Sequence, residues 1–80
     1  MNALTRSVQR SLAESPVSLR ELARRSGISH VQLARLVSGE RSATETVAVA
    51  VAGALETISR EAATASARVR RSLTTHRRDA

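Results

Sequence analysis

The sequence predicts an all-α fold, a small bundle of four to five helices that ends in an extended C-terminal helix. Leu4, Val8 and Leu12 recur every four residues, which is typical of one apolar side of a helix. Further along, two helix-start motifs follow one another across a single glycine. The 80 residues include no Phe, Tyr, Trp or Cys, so the core must be built from Leu, Val, Ile and Ala, which suits closely packed helices.

The first two helices are predicted from their apolar spacing and their end signals. The first runs from about residue 2 to residue 13 and ends at Ser15-Pro16, because a residue before proline avoids the helical conformation. The second begins at Ser18-Leu-Arg-Glu21, a capping box in which the serine accepts a first-turn N–H and the glutamate reaches back. Gly27 ends this short helix in a left-handed conformation.

A third helix, predicted over residues 29–38, repeats the same start signal. Ser29-His-Val-Gln32 is a second capping box, and Gly39 ends the helix. On a helical wheel, Leu33, Leu36 and Val37 lie on one side, which is expected to face a core shared with Leu22 and Ala23. The opposite side carries Val31, Ala34, Arg35 and Ser38, flanked by His30 and Gln32. Two helices joined by such a corner form a helix-turn-helix, whose second helix can lie in the major groove of DNA.

The corner belongs to a longer pattern that can be compared with a known family. It comprises Leu22-Ala23, Gly27-Ile28-Ser29, Leu33, Leu36 and Gly39, then a loop containing Ser and Thr and an apolar helix ending in Ala54-Leu55. With this pattern, residues 18–58 resemble the helix-turn-helix of the Cro/CI-type family of phage and bacterial repressors. The resemblance implies a homodimer that binds a two-fold symmetric operator in double-stranded DNA. Glu56 stands where the family has the glycine that stops this helix, Leu19 where it often has glutamine, and Ser38 where asparagine is common.

The third helix supplies the candidate DNA-reading residues. Arg35 points outward and can donate two hydrogen bonds to guanine, and Val31 can pack on a thymine methyl group. His30 matches a base-reading position of the family, with a phosphate contact as the alternative, and Gln32 either reads a base or is occupied by capping. The resemblance also implies phosphate contacts, for which the candidates are Ser18, Ser29, Ser38, Arg41, Ser42 and Thr44.

The charge is unevenly distributed along the chain. The net charge is +6, and all thirteen basic residues are arginine. Residues 18–41 carry +3 and residues 59–80 carry +4, whereas residues 42–58 carry −2. Two basic regions that flank an acidic one favour a polyanionic partner, with a merely solvated surface as the alternative.

The C-terminal segment predicts an unusually long fourth helix. Ser42-Ala-Thr-Glu45 is a third capping box, and no Gly or Pro occurs in residues 56–75, so the helix is expected from about Ala43 to about Thr74. Residues 1–58 would form the DNA-binding domain and residues 59–80 an extension with a frayed basic tail at residues 76–80. An apolar stripe along this helix either pairs with a second subunit or folds back on the first helix; it consists of Leu55, Ile58, Ala62, Ala65 and Val69.

Other chemistry is not indicated by the sequence. Without cysteine there is no disulfide, thiolate or sulfur metal site, and the two histidines, His30 and His76, lack a carboxylate or nucleophile at a useful spacing. We therefore expect no enzyme activity, no cofactor, no metal and no small-molecule ligand. The longest apolar stretch, Val47 to Leu55, is too short to cross a membrane, and the expected location is the cytoplasm of a bacterium or of a phage-infected cell.

These observations favour a sequence-specific DNA-binding regulator that represses transcription. Two other hypotheses stay open at this point. One is a helical protein–protein adaptor such as an antitoxin, and the other is a DNA-binding accessory factor of recombination or excision.

Overall fold

The computed structural model describes residues 2–79, which form four α-helices. These are α1 (Ala3–Ala13), α2 (Leu19–Ser26), α3 (His30–Ser38) and α4 (Glu45–Asp79). The all-α prediction is confirmed, and residues 2–79 contain no β-strand. Met1 and Ala80, which the predicted domain limits include, lie outside the described residues.

Two of the three predicted serine caps, Ser18 and Ser29, are present, but neither of their capping boxes is closed. The Oγ atoms of Ser18 and Ser29 accept hydrogen bonds from the N–H groups of Glu21 and Gln32, at 3.2 Å and 3.1 Å. The Glu21 carboxylate instead accepts hydrogen bonds from two arginines of its own helix. The Gln32 side chain makes no hydrogen bond to Ser29 within residues 2–79, so capping does not occupy it.

The fourth helix begins two residues later than the sequence predicts. Thr44, not Ser42, caps it, because its Oγ1 accepts the N–H of Val47 at 3.2 Å. Ala43 is buried before the helix starts, and its N–H donates to Thr5 Oγ1 at 2.9 Å. This long-range bond holds Ala43 in the loop, which moves the helix start to Glu45.

The core lies where all four helices meet. It is formed by Val8, Leu12, Leu22, Leu33, Leu36, Ala43, Val51, Ala54 and Ile58. The predicted core position of Val37 is wrong, since Val37 is 45% exposed, and Leu4, on the predicted apolar side of α1, is 38% exposed. On α1 the buried side contains Thr5 with Val8 and Leu12, which leaves Leu4 at its edge. On α3 only the side of Leu33 and Leu36 is covered, and Val37 lies beyond its edge, about 40° from Leu33 and 100° from Leu36.

The fourth helix sets the length of the molecule. Its 35 residues continue past Glu56, as predicted, and they set the long dimension of a molecule that measures 56 × 22 × 19 Å. The expected end near Thr74 and the expected frayed tail are wrong, because the helix continues to Asp79 with no residue that breaks it. No helix within residues 2–79 combines the length and apolar character needed to cross a membrane.

Burial divides this helix into two halves. Val51, Ala54 and Ile58 are buried, whereas every described residue from Ser59 to Asp79 is exposed. The C-terminal half therefore does not fold back on α1. Two members of the predicted pairing stripe are also used within the chain, because Ile58 is buried and Leu55 packs against the core. Only Ala62, Ala65 and Val69 of that stripe are exposed.

Candidate nucleic-acid interface

A tight corner connects α2 to α3. Gly27 adopts a left-handed conformation with φ of 76°, and its N–H donates to the carbonyl of Ala23 at 3.0 Å. The N–H of Ile28 donates to Ser26 Oγ at 3.2 Å, and Ser29 then caps α3. Glycine adopts the left-handed conformation readily because it carries no Cβ. The corner fixes the direction in which α3 leaves α2.

The inner side of α3 is fixed at several points. Leu33 and Leu36 are buried, and Gln9 of α1 donates its side-chain amide to the Leu36 carbonyl at 2.8 Å. The helix ends at Gly39, whose φ is 85°, and the N–H of Arg41 returns to the carbonyl of Arg35 at 3.2 Å. Sequence reasoning missed Gln9, because an amide on a helix gives no sign of which distant carbonyl it reaches. These contacts hold α3 rigidly against the bundle.

The outer side of α3 carries Val31 and Arg35, and the other two candidate base-reading residues, His30 and Gln32, flank it. His30, Val31, Gln32 and Arg35 are exposed, and Val31 is 56% exposed although it is apolar. Ser38 is also exposed, and its hydroxyl donates to the carbonyl of Arg35 at 3.1 Å.

An acidic neighbour of Arg35 was also missed by sequence reasoning. The Nε of Arg35 lies 3.9 Å from Glu40 Oε2, which is longer than a hydrogen bond. An exposed ion pair of this kind is weak. The guanidinium can therefore turn from Glu40 to a ligand at little cost.

The loop after α3 brings three phosphate candidates beside one base-reading candidate. A cavity of about 330 Å³ is lined by Gln32 together with Arg41, Ser42 and Thr44, and Leu36 and Val47 also line it. Ser29 lies at the N-terminus of α3, one residue before His30. Ser18 is exposed at the N-terminus of α2 and does not line this cavity. The hydroxyl protons of these serine and threonine caps remain available as donors to an anion.

Two other arginines of α2 serve a structural role. Arg25 donates to Glu21 at 3.0 Å and to Glu61 of α4 at 2.6 Å, and Arg24 donates to Glu21 at 2.8 Å. Hydrogen bonds from Arg24 and Arg25 lower the pKa of Glu21 from 4.5 to about 2. The hydrogen bond from Arg25 also lowers the pKa of Glu61. Arg25 therefore joins α2 to the point where α4 leaves the bundle.

The fold and this surface define a small helix-turn-helix domain that presents polar and basic groups on its second helix. Residues 17–61, more than half of the chain, match the family model described as Helix-turn-helix, and the chain belongs to this family. The match agrees with the resemblance to Cro/CI-type proteins and makes the protein a DNA-binding transcriptional regulator. Comparison with curated proteins and with solved structures gave no match.

Proposed function

We propose that the protein is a transcriptional repressor of the phage or prophage type. In this proposal two copies bind a two-fold symmetric operator that overlaps a promoter, each with α3 in the major groove. The observation that supports it best is the contrast between the two sides of α3. The inner side is buried and hydrogen-bonded to α1, whereas the outer side exposes Val31 and Arg35. Within residues 2–79 the Arg35 guanidinium forms no hydrogen bond and only the 3.9 Å ion pair with Glu40.

Each exposed side chain of α3 has a distinct role in this proposal. Arg35 donates two hydrogen bonds to a guanine, and Val31 contacts a thymine methyl group, since both features are presented in the major groove. Gln32 is released from capping and can pair with adenine, as glutamine does through both atoms of its amide. His30, in the first turn, contacts either a base or the adjacent phosphate.

The phosphate contacts come from the cavity beside α3 and from the helix N-termini. Arg41, Ser42 and Thr44 share this cavity with Gln32, so they would hold the backbone of the strand whose bases Gln32 contacts. Ser18 and Ser29 mark the N-termini of α2 and α3, where free N–H groups favour an anion. Phosphate contacts fix the orientation of a protein on DNA and carry no sequence information. Ser38, at the end of α3, is the remaining candidate.

A homodimer is part of the proposal because one short helix contacts few base pairs. Helix-turn-helix dimers solve this by placing two recognition helices one DNA turn apart, about 34–36 Å. The exposed part of α4, with Ala62, Ala65 and Val69 on one side, offers a surface through which two copies can pair.

A protein–protein adaptor is the second candidate function. The same exposed apolar side of α4 favours it, because such a surface suits a different protein as well as a second copy. Salt dependence separates the two functions. A protein that binds DNA phosphates loses affinity for duplex DNA steeply as the salt concentration rises. An adaptor does not bind duplex DNA at any salt concentration.

The proposed function is tested by selection of binding sites from random DNA duplexes, followed by footprinting on the selected sequence. We expect a consensus with two-fold symmetry and one protected region that covers both half-sites. Several adjacent protected sites with bent DNA would support an excision factor instead. Failure to enrich any sequence would contradict the proposal.

A further inference from the structure

We infer that the C-terminal half of α4 is an arm that fills the groove between α1 and α4 of a second copy, so that two α4 helices pair in antiparallel orientation. The inference rests on the homodimer proposed above. It adds which surfaces meet and in which direction.

The arm, residues 59–79 of α4, has one apolar side and one basic side. Val69 and Leu73 are 66% and 42% exposed, and successive steps of 100° put them on the same side as Ala62. That side carries no charged residue between Ala62 and Leu73. Five arginines occupy the remaining circumference, namely Arg60, Arg68, Arg70, Arg71 and Arg78, whereas Arg77 lies at the edge of the apolar side, one turn after Leu73. An apolar side that the chain itself leaves uncovered indicates a partner surface.

The groove is apolar and open. It has a volume of about 240 Å³ and lies between Leu4 and Val8 of α1 and Ala48, Ala52 and Leu55 of α4. Leu4, the first residue of the apolar repeat of α1, forms part of its exposed wall. An apolar side chain that enters the groove would remove this wall from water.

The groove and the arm lie on one continuous line along α4. Ala48, Leu55, Ala62 and Val69 are spaced by seven residues, which keeps them on the same side of a helix that pairs with another. In an antiparallel pair that crosses at Ala62, positions at equal distance from Ala62 face each other. Val69 then faces the partner's half-buried Leu55. Leu73 reaches the level of the partner's Val51, which is buried and forms the floor of the groove. The arm of each copy therefore reaches the groove of the other.

Charge selects the antiparallel direction. Residues 45–58 carry Glu45 and Glu56 and no arginine, a net charge of −2, whereas residues 59–79 carry six arginines against Glu61 and Asp79, a net charge of +4. A parallel pair would place the two +4 segments side by side. An antiparallel pair places each along the −2 segment of its partner, within reach of Coulomb attraction because packed helices lie about 8–10 Å apart. The charged residues of α1 are Arg6 and Arg10, and Arg10 is paired with Glu14 at 3.1 Å, so Arg6 alone opposes this attraction from α1.

The antiparallel pair also gives the two DNA-binding domains a suitable separation. The part of α4 that packs into the domain is centred near residue 52, ten residues before Ala62. At about 1.5 Å per residue, the two domain centres lie roughly 30 Å apart along the helix axis. This value is close to one DNA turn, about 34–36 Å.

Cysteine cross-linking tests the arrangement, because the natural chain contains no cysteine. Four full-length variants are needed: Ala62→Cys at the crossing, Ala52→Cys in the groove, Leu73→Cys on the arm and Ala67→Cys on the opposite side of α4 as the control. Each is oxidised, and each is treated with a short bifunctional maleimide, alone and in pairwise mixtures. The mass of the unmodified protein in solution is measured in parallel.

The inference predicts a dimeric mass and three cross-linking results. Ala62→Cys forms far more cross-linked dimer than Ala67→Cys does. Leu73→Cys by itself forms no cross-linked dimer. A mixture of Leu73→Cys with Ala52→Cys gives a dimer that contains one copy of each variant. Strong self-linking of Leu73→Cys in a dimeric protein would overturn the antiparallel arrangement and leave the homodimer standing. A monomeric mass near 100 µM would overturn both, whereas DNA reading by α3 is tested separately by site selection.

Discussion

At the scale of single residues, the hydroxyl of Thr5 joins two parts of the chain that are far apart in sequence. Its side chain is fully buried in α1, and it accepts the N–H of Ala43 just before α4. A buried N–H without a partner is costly, so this hydroxyl stabilises the loop that follows the recognition helix. The apolar pattern of α1 did not reveal it, because Leu4 fits the same spacing and threonine is usually exposed.

Replacing Thr5 by valine tests this role. Thr5→Val keeps the shape and leaves the Ala43 N–H without an acceptor, so we expect the free energy of unfolding to fall by about 1–3 kcal/mol. Thr46→Val, at an exposed position of α4, is the matched control and should change stability little. Urea denaturation of both variants measures the difference. Equal stability of Thr5→Val and the natural protein would show that the bond contributes nothing.

At the scale of helices and corners, sequence reasoning predicted most of what the structure shows. The serine caps of α2 and α3, the helix ends at Gly27 and Gly39 and the continuation of α4 past Glu56 follow from local chemistry, and local chemistry can be predicted from a sequence. The burial of Ile58, the cap at Thr44 and the ion pair from Arg25 to Glu61 depend on contacts between distant segments. Such contacts have no signal in the local pattern.

Replacing glycine by alanine should have opposite effects on stability at the left-handed corner and in the interior of α4. Gly27→Ala introduces a Cβ at φ of 76°, which meets no atom within 4 Å but strains the backbone, at a cost of roughly 1–2 kcal/mol. Gly53→Ala, in the interior of α4, also meets no atom within 4 Å and should stabilise the protein by about 0.5–1 kcal/mol. Thermal melting compares the two variants. A stabilising Gly27→Ala would contradict the left-handed corner.

The link between α2 and α4 predicts a dependence of stability on pH. The pKa of Glu21 in the folded protein, about 2, lies below its ordinary value of 4.5, so its contribution is complete above about pH 4.5 and is lost as the pH falls toward 2. The lowered pKa of Glu61 acts in the same direction. Arg25→Gln should flatten this acid slope more than Arg24→Gln does, because among the described residues Arg25 pairs with both Glu21 and Glu61, whereas Arg24 pairs with Glu21 alone. Melting temperatures between pH 2 and pH 7 measure the slopes, and identical slopes for both variants would contradict the link.

At the scale of the whole molecule, α4 extends well beyond the domain that it helps to build. The 21 described residues from Ser59 to Asp79 are exposed and make no contribution to the core. Sequence reasoning predicted the overhang from the missing glycine at position 56, but the apolar stripe that it proposed for pairing includes Ile58, which is buried in the core. A change at Ile58 would therefore damage the fold rather than test pairing.

A charge placed on the exposed side of α4 tests pairing without touching the core. Ala62→Glu puts two carboxylates opposite each other at the crossing, so we expect a monomeric mass and at least tenfold weaker binding to a symmetric site. Ala67→Glu adds the same charge on the opposite side of the helix and should remain dimeric. Light scattering gives the mass and fluorescence anisotropy gives the affinity. A dimeric Ala62→Glu variant would contradict pairing through this side.

The central claim, that the outer side of α3 reads base pairs, is tested most directly by comparing Arg35→Ala with Arg41→Ala. Binding is measured on the selected site, on its single-base variants and on random duplexes. Our account predicts that Arg35→Ala costs about 1–3 kcal/mol on the selected site and loses its preference at one base pair of each half-site. Arg41→Ala should weaken binding to all duplexes alike, as loss of a phosphate contact does. Uniform weakening by Arg35→Ala, with every base preference retained, would contradict the claim.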